Sequence, residues 1–422
     1  MDKSTYNHYL AILKSELIPA LGCTEPIAIA FAAAKVCEVL GCRPQSIEMA
    51  CSGNIIKNVK GVTVPNSGGL KGIDVAAVLG VVGGRADKNL EVLQSITPEH
   101  IEETKQLVAN GYCKCSLIEG VENLYIIAKA WAGEQSATVE IKSKHTHITK
   151  ITKNGEVIYK QDDISNTAET GDKSLLNVKD IIEFADTVCI DDVSELLDRQ
   201  IEMNTAIADE GLKHSYGTEV GRTLLEFYGN DVRVRARARS AAGSDARMSG
   251  CALPVVINSG SGNQGMTVSL PVIEYAYELG ASKEQLYRAL VVANLISIHQ
   301  KKYIGSLSAY CGATSAGCGA GCGITYLHGG RYEDISKTIV NTIGNIGGMV
   351  CDGAKPSCAA KIASAVDAGI MGFLMAKKDR VFQPGEGLVQ GDVEHTIQNL
   401  GRMGRVGMKS TDVEILNIMI GK

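Results

Sequence analysis

Residues 21–26 read Leu-Gly-Cys-Thr-Glu-Pro, and this stretch decides how the N-terminal part of the chain is expected to fold. Pro26 suits the first turn of a helix and Thr24 can cap it, so the helical pattern over residues 6–40 breaks and restarts here. Cys23 then lies just outside a helix N-terminus, where amide donors and the helix dipole favour a thiolate or an anion. We expect this segment to pack back onto the later helices.

The predicted secondary structure changes once after this segment, from mixed strands and helices to helices. Strand and helix patterns alternate from Gln45 to about Lys160, and Asn154-Gly155 between two predicted strands is a strong hairpin signal. A polar linker is predicted over 161–174, and helical periodicity dominates after it. The sequence therefore predicts an α+β fold. Its three parts are a helical segment over residues 1–40, a mixed α/β domain over residues 41–165, and a mainly helical domain over residues 175–422.

Composition restricts the class of protein. The 422 residues carry a net charge of −5 and the charges are interspersed, which does not indicate binding to nucleic acid or to a membrane surface. No stretch approaches the roughly 20 apolar residues of a membrane span, and no apolar leader is evident, so we expect a cytoplasmic protein. With 46 glycines and only 5% aromatic residues, the core is expected to consist of closely packed helices, and a small polar substrate fits best.

Cysteine is the residue type that points to chemistry. Thirteen is an odd number, and a reducing compartment keeps thiols free, so disulfides are not expected. Seven cysteines lie among apolar neighbours or on predicted strands and are interpreted as core residues: Cys37, Cys42, Cys51, Cys113, Cys115, Cys189 and Cys251. The other six lie in segments rich in Gly, Ala, Ser or Pro, where the backbone can approach a metal closely: Cys23, Cys311, Cys318, Cys322, Cys351 and Cys358.

Spacing alone does not identify a metal. Cys318 and Cys322 form one C-x3-C pair without the second pair that structural zinc sites usually have. His145 and His147 alternate on a predicted strand, but the lysines around them indicate a solvated hairpin. An iron–sulfur cluster would have to be assembled from remote segments by the tertiary fold.

Three polar loops are candidate carboxylate-binding sites, because they offer backbone amides, hydroxyls and side-chain amides. Plain tight turns are an equally good interpretation of each loop. Residues 260–265 match G-x-G-x-x-G, but Pro271 and the helices that follow argue against a dinucleotide site. The candidate substrate-binding residues in these loops are Ser52, Gly53, Asn54, Asn66, Ser259, Gly260, Ser261, Gly262, Asn263 and Gln264.

Six motifs occur in order along nearly the whole chain. They are LGCTEP (21–26), SGNIIKN (52–58), VPNSGG (64–69), SGSGNQG (259–265), IGSLSAYCGA (304–313) and CDGAKPSCA (351–359). Together they resemble the L-cysteine desulfidase family, which is related to the iron–sulfur L-serine dehydratases. The resemblance implies cleavage of L-cysteine to sulfide, ammonia and pyruvate by a [4Fe–4S] cluster without pyridoxal phosphate. By motif position it implies the ligands Cys23, Cys311 and Cys351 in the helical domain's cluster site, and it leaves the role of Cys358 open.

The general base and the substrate stay open at this level. Glu25, Lys301 and Lys355 lie near the cluster motifs in sequence and are the candidate catalytic residues, although each can equally be an ion-pair partner. An iron–sulfur L-serine dehydratase and a non-enzymatic iron–sulfur protein are the alternatives. A pyridoxal-phosphate lyase is disfavoured, because no lysine faces a convincing phosphate site. The expected partner is a small amino acid, and a homo-oligomer is possible.

Overall fold

The computed structural model describes residues 1–161, 170–305 and 307–422. A mixed sheet with helices forms the N-terminal part and helices dominate the C-terminal part, which confirms the predicted α+β class. The elements of the N-terminal part are α1 (Lys3–Glu16), β1 (Pro19–Leu21), α2 (Thr24–Leu40), β2 (Ser46–Ser52), α3 (Gly53–Lys60), α4 (Ile73–Gly83), α5 (Pro98–Ala109), β3 (Cys113–Ile118), β4 (Tyr125–Ala132), β5 (Gln135–Lys142), β6 (Ile148–Lys153) and β7 (Glu156–Lys160).

The C-terminal part follows a stretch of which residues 162–169 lie outside the described residues, so most of the predicted linker over 161–174 is not described. The elements of this part are α6 (Val178–Thr187), α7 (Ile190–Lys213), α8 (Val220–Tyr228), α9 (Val232–Met248), β8 (Pro254–Val256), α10 (Gly262–Leu279), α11 (Lys283–Ile304), α12 (Gly312–Leu327), α13 (Tyr332–Ile346), α14 (Cys358–Ala376), α15 (Val393–Arg402) and α16 (Lys409–Ile420).

The main sheet has six strands in the order β3-β2-β4-β5-β6-β7. Only the β2–β3 pair among them is parallel, and the remaining pairs are antiparallel. The β6–β7 turn has positive φ at Asn154 (50°) and Gly155 (85°), which is the backbone that the predicted Asn-Gly hairpin requires. Alternate residues of β4, such as Ile126 and Ala128, are buried, because one face of the sheet packs against α2.

The first forty residues join the sheet to the helical part. In α1, Tyr9 is fully buried and packs edge-on against Phe184 of α6, with 5.5 Å between ring centroids. The short strand β1 then pairs antiparallel with β8 of the helical part. Helix α2 instead covers β4 and β5 of the sheet. The expected packing onto the helical part is therefore made by α1 and β1, while α2 packs on the N-terminal sheet.

Helix α12 is the centre of the helical part, and the sequence pattern did not indicate it. Glycine weakens an isolated helix, so the glycine-rich stretch around Cys318 suggested irregular backbone. In the fold, a Cβ at Gly317 would clash with the Ala365 carbonyl of α14, and one at Gly319 would clash with the Ala293 carbonyl of α11. The glycines let both neighbouring helices approach α12 closely, so tertiary packing overrides the local propensity.

Two further helices differ from the sequence prediction. Helix α10 begins at Gly262 and contains Pro271, whereas a helix was predicted only from Ile273 onward. A proline interrupts one helical hydrogen bond, but every residue from Gln264 to Ala276 in this helix is buried, and that packing holds the turn together. The arginine-rich stretch Val232–Arg239 is the start of α9. Its arginines form ion pairs such as Arg235–Glu274 (3.1 Å).

Helix α14 is the one described helix long and apolar enough to cross a membrane by length and composition, with a mean hydropathy of 1.5 over its most apolar window. The expectation that no stretch approaches this length was therefore wrong. Half of that window is buried inside the fold, and Ile362, Val366 and Phe373 belong to an apolar cluster that includes Ile324 of α12. A buried core helix has the same length and composition as a membrane span.

Candidate functional site

One cavity between the two parts of the structure collects residues from most of the motifs. Four cysteines line it: Cys23, Cys311, Cys351 and Cys358. Polar side chains from other elements complete the lining: Glu25, Asn58, Arg247, Ser259, Ser261, Asn263, Gln264, Lys301 and Lys361. Segments more than 300 positions apart in the chain, such as residues 21–26 and 351–359, therefore meet here.

Cys23 reaches the cavity because β1 carries the chain from α1 to the edge of β8. Gly22 follows β1 with φ of 59°, and an added Cβ there would clash with the Pro65 ring, so only glycine fits this turn. Cys23 is then the N-cap residue of α2 and is 2% exposed. The predicted position of this cysteine at a helix N-terminus is confirmed, but the predicted cap at Thr24 is wrong, because Thr24 is the first residue of the helix and no side chain caps it.

Cys311 and Cys351 are held side by side by backbone pairing. The Cys311 N–H donates to the Met349 carbonyl (3.0 Å), and the Cys351 N–H donates to the Ala309 carbonyl (2.6 Å). Cys311 is also the N-cap of α12, as Cys23 is of α2. Two helix N-termini thus direct their dipoles at thiols of this cavity, which favours negative charge there.

Burial keeps the thiols of Cys23, Cys311 and Cys358 protonated as long as no metal is bound. Burial, with the nearby Cys351 as a second cause, raises the pKa of Cys311 to about 12. Burial also raises the pKa of Cys23 well above its ordinary value, and it raises the pKa of Cys358. Because a coordinating metal deprotonates a thiol outright, buried thiols with raised pKa values are suited to ligation and poorly suited to attack as free nucleophiles.

Thiols are the metal-binding groups of this cavity. Cys23, Cys311, Cys351 and Cys358 line it from separate segments of the chain. Thiolates are the ligands of iron–sulfur clusters, so these are the residues that could hold such a cluster here. Among the described residues, no group of three or more His, Cys, Asp and Glu side chains is arranged to hold a single metal ion.

Glu25 is held in place by the residues around it. Its Oε1 accepts from Asn58 Nδ2 (3.1 Å), and its Oε2 accepts from the Cys23 thiol (3.1 Å). Burial by itself raises the pKa of Glu25. The interactions with His145 and the Cys23 thiol lower the pKa by more than burial raises it, so that it is about 2. Glu25 is therefore an ionised, fully engaged carboxylate at neutral pH, which fits an anchoring role better than that of a proton acceptor.

His145 is the clearest error among the expectations for this region. The lysines near it indicated a solvated hairpin, yet its side chain is 8% exposed and its Nε2 lies 3.9 Å from Glu25 Oε1. That distance is too long for a hydrogen bond. The connection between β5 and β6 turns His145 inward while its neighbour Lys144 stays exposed, a difference that local polarity does not indicate.

Arg247 of α9 presents unsatisfied donors beside the cavity. It is 2% exposed, and its Nη1 donates to Asn263 Oδ1 (3.1 Å). Its Nε and Nη2 have no hydrogen-bond partner within the described part of the chain. Buried unpaired donors are costly, so this guanidinium is expected to bind an anionic group that enters the cavity.

The loop before α10 is a tight turn that leads into a helix N-terminus. Ser259 (φ 50°) and Gly260 (φ 79°) both have left-handed backbones, and Asn258 and Ser261 exchange backbone hydrogen bonds of 3.1 Å in both directions. The turn and binding interpretations of this loop are therefore compatible. Ser261, the N-cap of α10, and Gln264 line the cavity, and Gln264 Oε1 is buried with no partner in the described ranges.

Lys301 lies between this cavity and a larger outer one. The outer cavity shares Ser259, Gly260 and Lys301 with the inner one and is also lined by His145 and Lys302. Burial lowers the pKa of Lys301 to about 8, so part of its population is the neutral amine near neutral pH. Of the three candidate bases, Lys301 combines a position in the cavity with a pKa close to the working range.

Five of the predicted site residues lie elsewhere. Lys355 pairs with Asp352 (2.6 Å) and does not line the cavity. The other four belong to the two N-terminal loops. Ser52 donates to the Asn123 carbonyl (2.7 Å), Gly53 packs on the α16 side chain of Leu416, Asn54 donates to Asp412 (2.7 Å), and Asn66 donates to the Leu93 carbonyl (2.9 Å). Ser52, Gly53 and Asn54 form the junction between β2 and helix α3, so the turn interpretation was wrong for them, whereas Asn66 lies in a turn with φ of 56°. The side-chain donors of these residues bond to other parts of the fold, and Asn54 Oδ1 is buried without a partner among the described residues.

Gly262 lies at the first turn of α10, directly beside the guanidinium of Arg247. A Cβ at this position would clash with Arg247. Gly262 therefore contributes space for Arg247 and does not line the cavity itself. Because glycine has no side chain, the backbone at Gly262 can approach the Arg247 side chain closely.

The remaining cysteines divide by environment. Cys318 and Cys322 are 1% and 0% exposed in the apolar core along α12, and they do not line the cavity. Three of the seven cysteines interpreted as core residues are in fact exposed, namely Cys42, Cys115 and Cys189. All thirteen are free thiols, as expected. The core interpretation failed for the three because an apolar neighbour in sequence does not fix which way a side chain points.

Sequence reasoning missed Arg247, Lys361 and the site role of Asn58. Asn58 is the last residue of the motif SGNIIKN, whose first three residues were the predicted candidates, so the motif itself was the available signal for Asn58. Arg247 and Lys361 lie inside the helices α9 and α14, where a buried basic residue has no local signature. Only the packing of these helices brings them to the cavity.

Comparison with known proteins gives a consistent result. The family described as "Serine dehydratase alpha chain" matches residues 87–417. A UPF0597 protein of Desulfitobacterium hafniense is 54% identical over 99% of this chain and 97% of its own length. UPF0597 proteins of Lachnoclostridium phytofermentans (53% identical over 98% of this chain and 100% of that protein) and Treponema denticola (46% identical over 100% and 99%) are similar along their whole length.

Proposed function

The chain belongs to the serine dehydratase alpha chain family, and on this basis we propose that it is an iron–sulfur lyase that cleaves L-cysteine to sulfide, ammonia and pyruvate. The observation that carries the proposal is that Cys23, Cys311 and Cys351 line one cavity together with the unsatisfied donors of Arg247. Thiols supply a metal centre, and a buried guanidinium supplies a carboxylate site.

The cluster would be held by Cys23, Cys311 and Cys351. When bound through three protein thiolates, a [4Fe–4S] cluster offers one open iron that acts as a Lewis acid. Cys358 lines the same cavity at the first turn of α14, where it can support the neighbouring ligands. The helix N-termini at Cys23 and Cys311 stabilise the negative charge that ligated thiolates bring.

The substrate carboxylate is assigned to Arg247, supported by Asn263 and the N-terminus of α10. Asn263 accepts from Arg247 and so fixes the plane of the guanidinium. The remaining Nε and Nη2 donors form the fork that matches a carboxylate. This assignment replaces Asn54 and Asn66, whose side chains are engaged elsewhere, and retains Ser261 and Gln264 at the cavity wall.

Lys301 is assigned as the base that removes the Cα proton. Its neutral amine takes this proton, the electron pair forms a Cα–Cβ double bond, and the Cβ–S bond breaks with sulfur leaving as sulfide. The aminoacrylate released tautomerises to an imine, which water hydrolyses to pyruvate and ammonia. Glu25 is a poor base, because its pKa is about 2 and both of its oxygens already accept hydrogen bonds.

Cysteine is proposed ahead of serine because of leaving-group and ligand chemistry. A thiolate is the softer ligand and the better partner for an iron–sulfur centre. A hydroxide is a much poorer leaving group than a sulfide, so the elimination of serine depends more on a proton or a metal ion at the departing oxygen. The specific observation in favour of serine is the family description itself, so an iron–sulfur L-serine dehydratase is the second candidate.

A side-by-side assay tests the proposal. Protein reconstituted anaerobically with iron and sulfide is given L-cysteine or L-serine, and pyruvate, ammonia and sulfide are measured. We expect kcat/KM to be higher for L-cysteine and to be lost on exposure to oxygen. Faster turnover of L-serine would establish the second candidate. An intact cluster with no turnover of either amino acid would indicate a non-enzymatic iron–sulfur protein.

Two variants separate binding from chemistry. Arg247→Gln is expected to raise KM for L-cysteine by about tenfold or more while iron content stays full, because a charged fork on the carboxylate is lost. Asn54→Ala serves as the matched control, since Asn54 contacts Asp412 and not the cavity. Equal effects of the two substitutions on KM would refute the assignment of the carboxylate site.

A further inference from the structure

Two thiols lie against each other on the first strand of the sheet, outside the cavity of the candidate site. Cys113 and Cys115 belong to β3, and their Sγ atoms are 3.9 Å apart. Side chains two positions apart in a strand point to the same face, which is why the two thiols meet. Cys113 is partly exposed and Cys115 is exposed. The pair is therefore open to small molecules from solution.

The position of the pair at the rim of the sheet explains this difference in exposure. Strand β3 pairs in parallel with β2, so that Cys113 lies beside Ile47 and Cys115 beside Met49. Both of these neighbours are buried. Within the described residues β3 has no strand on its other side. One side of the thiol pair thus rests on the core, and the other side faces solvent.

We propose that Cys113 and Cys115 form a reactive dithiol whose substrate is a low-molecular-weight disulfide. The Cys115 thiolate attacks one sulfur of the disulfide, which releases one thiol and leaves a mixed disulfide on Cys115. Cys113 then loses its proton and attacks the Cys115 sulfur, so that the bond to the ligand breaks and the second thiol leaves. Two protein thiols are oxidised to one disulfide, one small disulfide is reduced to two thiols, and these take up the two protons.

Two observations assign Cys115 as the attacking residue. It is the more exposed of the two thiols. The Cys113 thiol donates a hydrogen bond to it, which lowers the pKa of Cys115, although burial and the Asp74 carboxylate act in the opposite direction. The same hydrogen bond and burial raise the pKa of Cys113. An accessible thiol of lowered pKa beside a second cysteine is the arrangement typical of thiols that react with disulfides.

The strand geometry makes the product disulfide reversible. Residues two positions apart in a strand have Cα atoms about 6.4–6.8 Å apart. Disulfides span Cα separations of up to about 6.8 Å, so this bond closes only at the upper end of the range, with a local bend of β3. The strand can bend because β2 is its one neighbouring strand among the described residues. A strained disulfide is readily reduced, so an excess of thiol restores the dithiol.

Reaction with L-cystine tests the proposal on the full-length protein. After reductant is removed anaerobically, L-cystine is added, free thiols are alkylated at intervals, and the chain is cleaved at its glutamates for mass spectrometry. Glu103 and Glu119 flank the pair, so both cysteines stay in one peptide. We expect this peptide to lose two hydrogens, to escape alkylation, and to react about tenfold or more faster than the exposed Cys42. Dithiothreitol is expected to reverse the change.

Single variants test the order of the two steps. Cys113→Ser is expected to stop at the mixed disulfide, so that its peptide gains the mass of one half-cystine at residue 115. Cys115→Ser is expected to react no faster than Cys42, and Cys42→Ser is the control that leaves the dithiol reaction unchanged. A dithiol in the parent chain that reacts no faster than Cys42, or a Cys115→Ser variant in which Cys113 reacts as fast as the parent pair, would overturn the proposal.

The choice of L-cystine links the dithiol to the candidate site. Its reduction yields two molecules of L-cysteine, so the dithiol would supply the substrate of the lyase; this link alone rests on the proposed function. The peptide measurement requires neither a cluster nor turnover. Loss of the dithiol reaction would therefore leave the proposed lyase activity untouched, and failure of the lyase assay would leave the dithiol chemistry untouched.

Discussion

At the scale of the residue, environment decides which cysteines can act. Helix α12 carries three of them: Cys311 at its N-cap faces the cavity, whereas Cys318 and Cys322 are buried among apolar side chains of the core. The side chains are chemically identical, and only Cys311 meets other thiols across an open space. A thiol in the packed core has neither room for a metal nor a neighbouring ligand set.

The first prediction uses this contrast within one helix. Cys311→Ser is expected to remove most of the iron and all of the lyase activity from anaerobically reconstituted protein, because a thiolate ligand is lost. Cys318→Ala is expected to retain iron and activity and to lower only the free energy of unfolding, by about 1 kcal/mol. Iron and acid-labile sulfide per chain are measured in both. Full iron in Cys311→Ser would remove this residue from the ligand set.

The second prediction concerns Lys301, because burying its charged ammonium group lowers the free energy of unfolding. Its pKa falls from 10.5 in an exposed setting to about 8. Below pH 8 the group is charged in the folded and unfolded states alike, and the cost of burying that charge is fully present. Between pH 8 and pH 10.5 only the unfolded chain binds the proton, so this contribution makes the protein more stable as pH rises.

Lys301→Met is therefore expected to raise the free energy of unfolding at pH 7 by about 1–3 kcal/mol while abolishing turnover. The gain is expected to shrink toward pH 10, and denaturant unfolding of parent and variant at both pH values measures it. Lys355→Met is the matched control and is expected to keep activity, since Lys355 pairs with Asp352 outside the cavity. A variant of Lys301 that is both inactive and less stable at pH 7 would contradict this account.

At the scale of the element, the short helix α3 connects the C-terminal helix to the loop of Cys351. Lys57 of α3 is 1% exposed, and its Nζ lies 2.5 Å from Asp412 of α16. The same ammonium donates to the Cys351 carbonyl (3.3 Å). The motif SGNIIKN therefore supports the site indirectly. Lys57 fixes the backbone of Cys351, a proposed ligand, whereas the first residues of the motif form hydrogen bonds away from the cavity.

The third prediction tests this connection. Asp412→Ala leaves the Lys57 ammonium buried without its carboxylate, which is expected to lower the free energy of unfolding by about 3 kcal/mol. Amide exchange in α16 and in the loop of residues 351–357 is expected to rise together. The double variant Lys57→Met/Asp412→Leu removes both charges and is expected to recover much of the stability. Increased exchange in α16 alone would show that Lys57 does not support the loop.

At the scale of the whole molecule, the cavity exists only because distant segments meet. β1 pairs with β8 and delivers Cys23, while the loops before α12 and α14 deliver Cys311 and Cys351. A cluster bound there would link the N-terminal segment to the helical part. Such a link stabilises the folded state, because the unfolded chain cannot offer the three thiolates at once.

The fourth prediction follows from this linkage. Removing iron with a chelator under anaerobic conditions is expected to lower the midpoint of thermal unfolding by several degrees, about 1 °C per kcal/mol of binding energy lost for a chain of this length. In Cys23→Ser the chelator is expected to leave the midpoint unchanged, because that variant already lacks the cluster. Differential scanning calorimetry measures both. An equal shift in the parent chain and in Cys23→Ser would mean that the chelator acts at another site.

Sequence by itself determined the α+β class, the Asn154-Gly155 hairpin and the helix that begins directly after Cys23. These features depend on periodicity, turn chemistry and the preference of proline for the first turn of a helix, which act between residues close together in the chain. The order of the motifs also pointed to the serine dehydratase relationship that the family comparison confirms.

Tertiary structure alone decided the helix through the glycines of α12, the inward turn of His145 and the position of Arg247. The fold also places Asn54, Asn66 and Lys355, which were predicted site residues, outside the cavity. Local propensity argues against a glycine-rich helix, and local polarity argues against burying a histidine or an arginine. Packing between remote segments outweighs both, because close helix contact and charge pairing are gained only when the chain has folded.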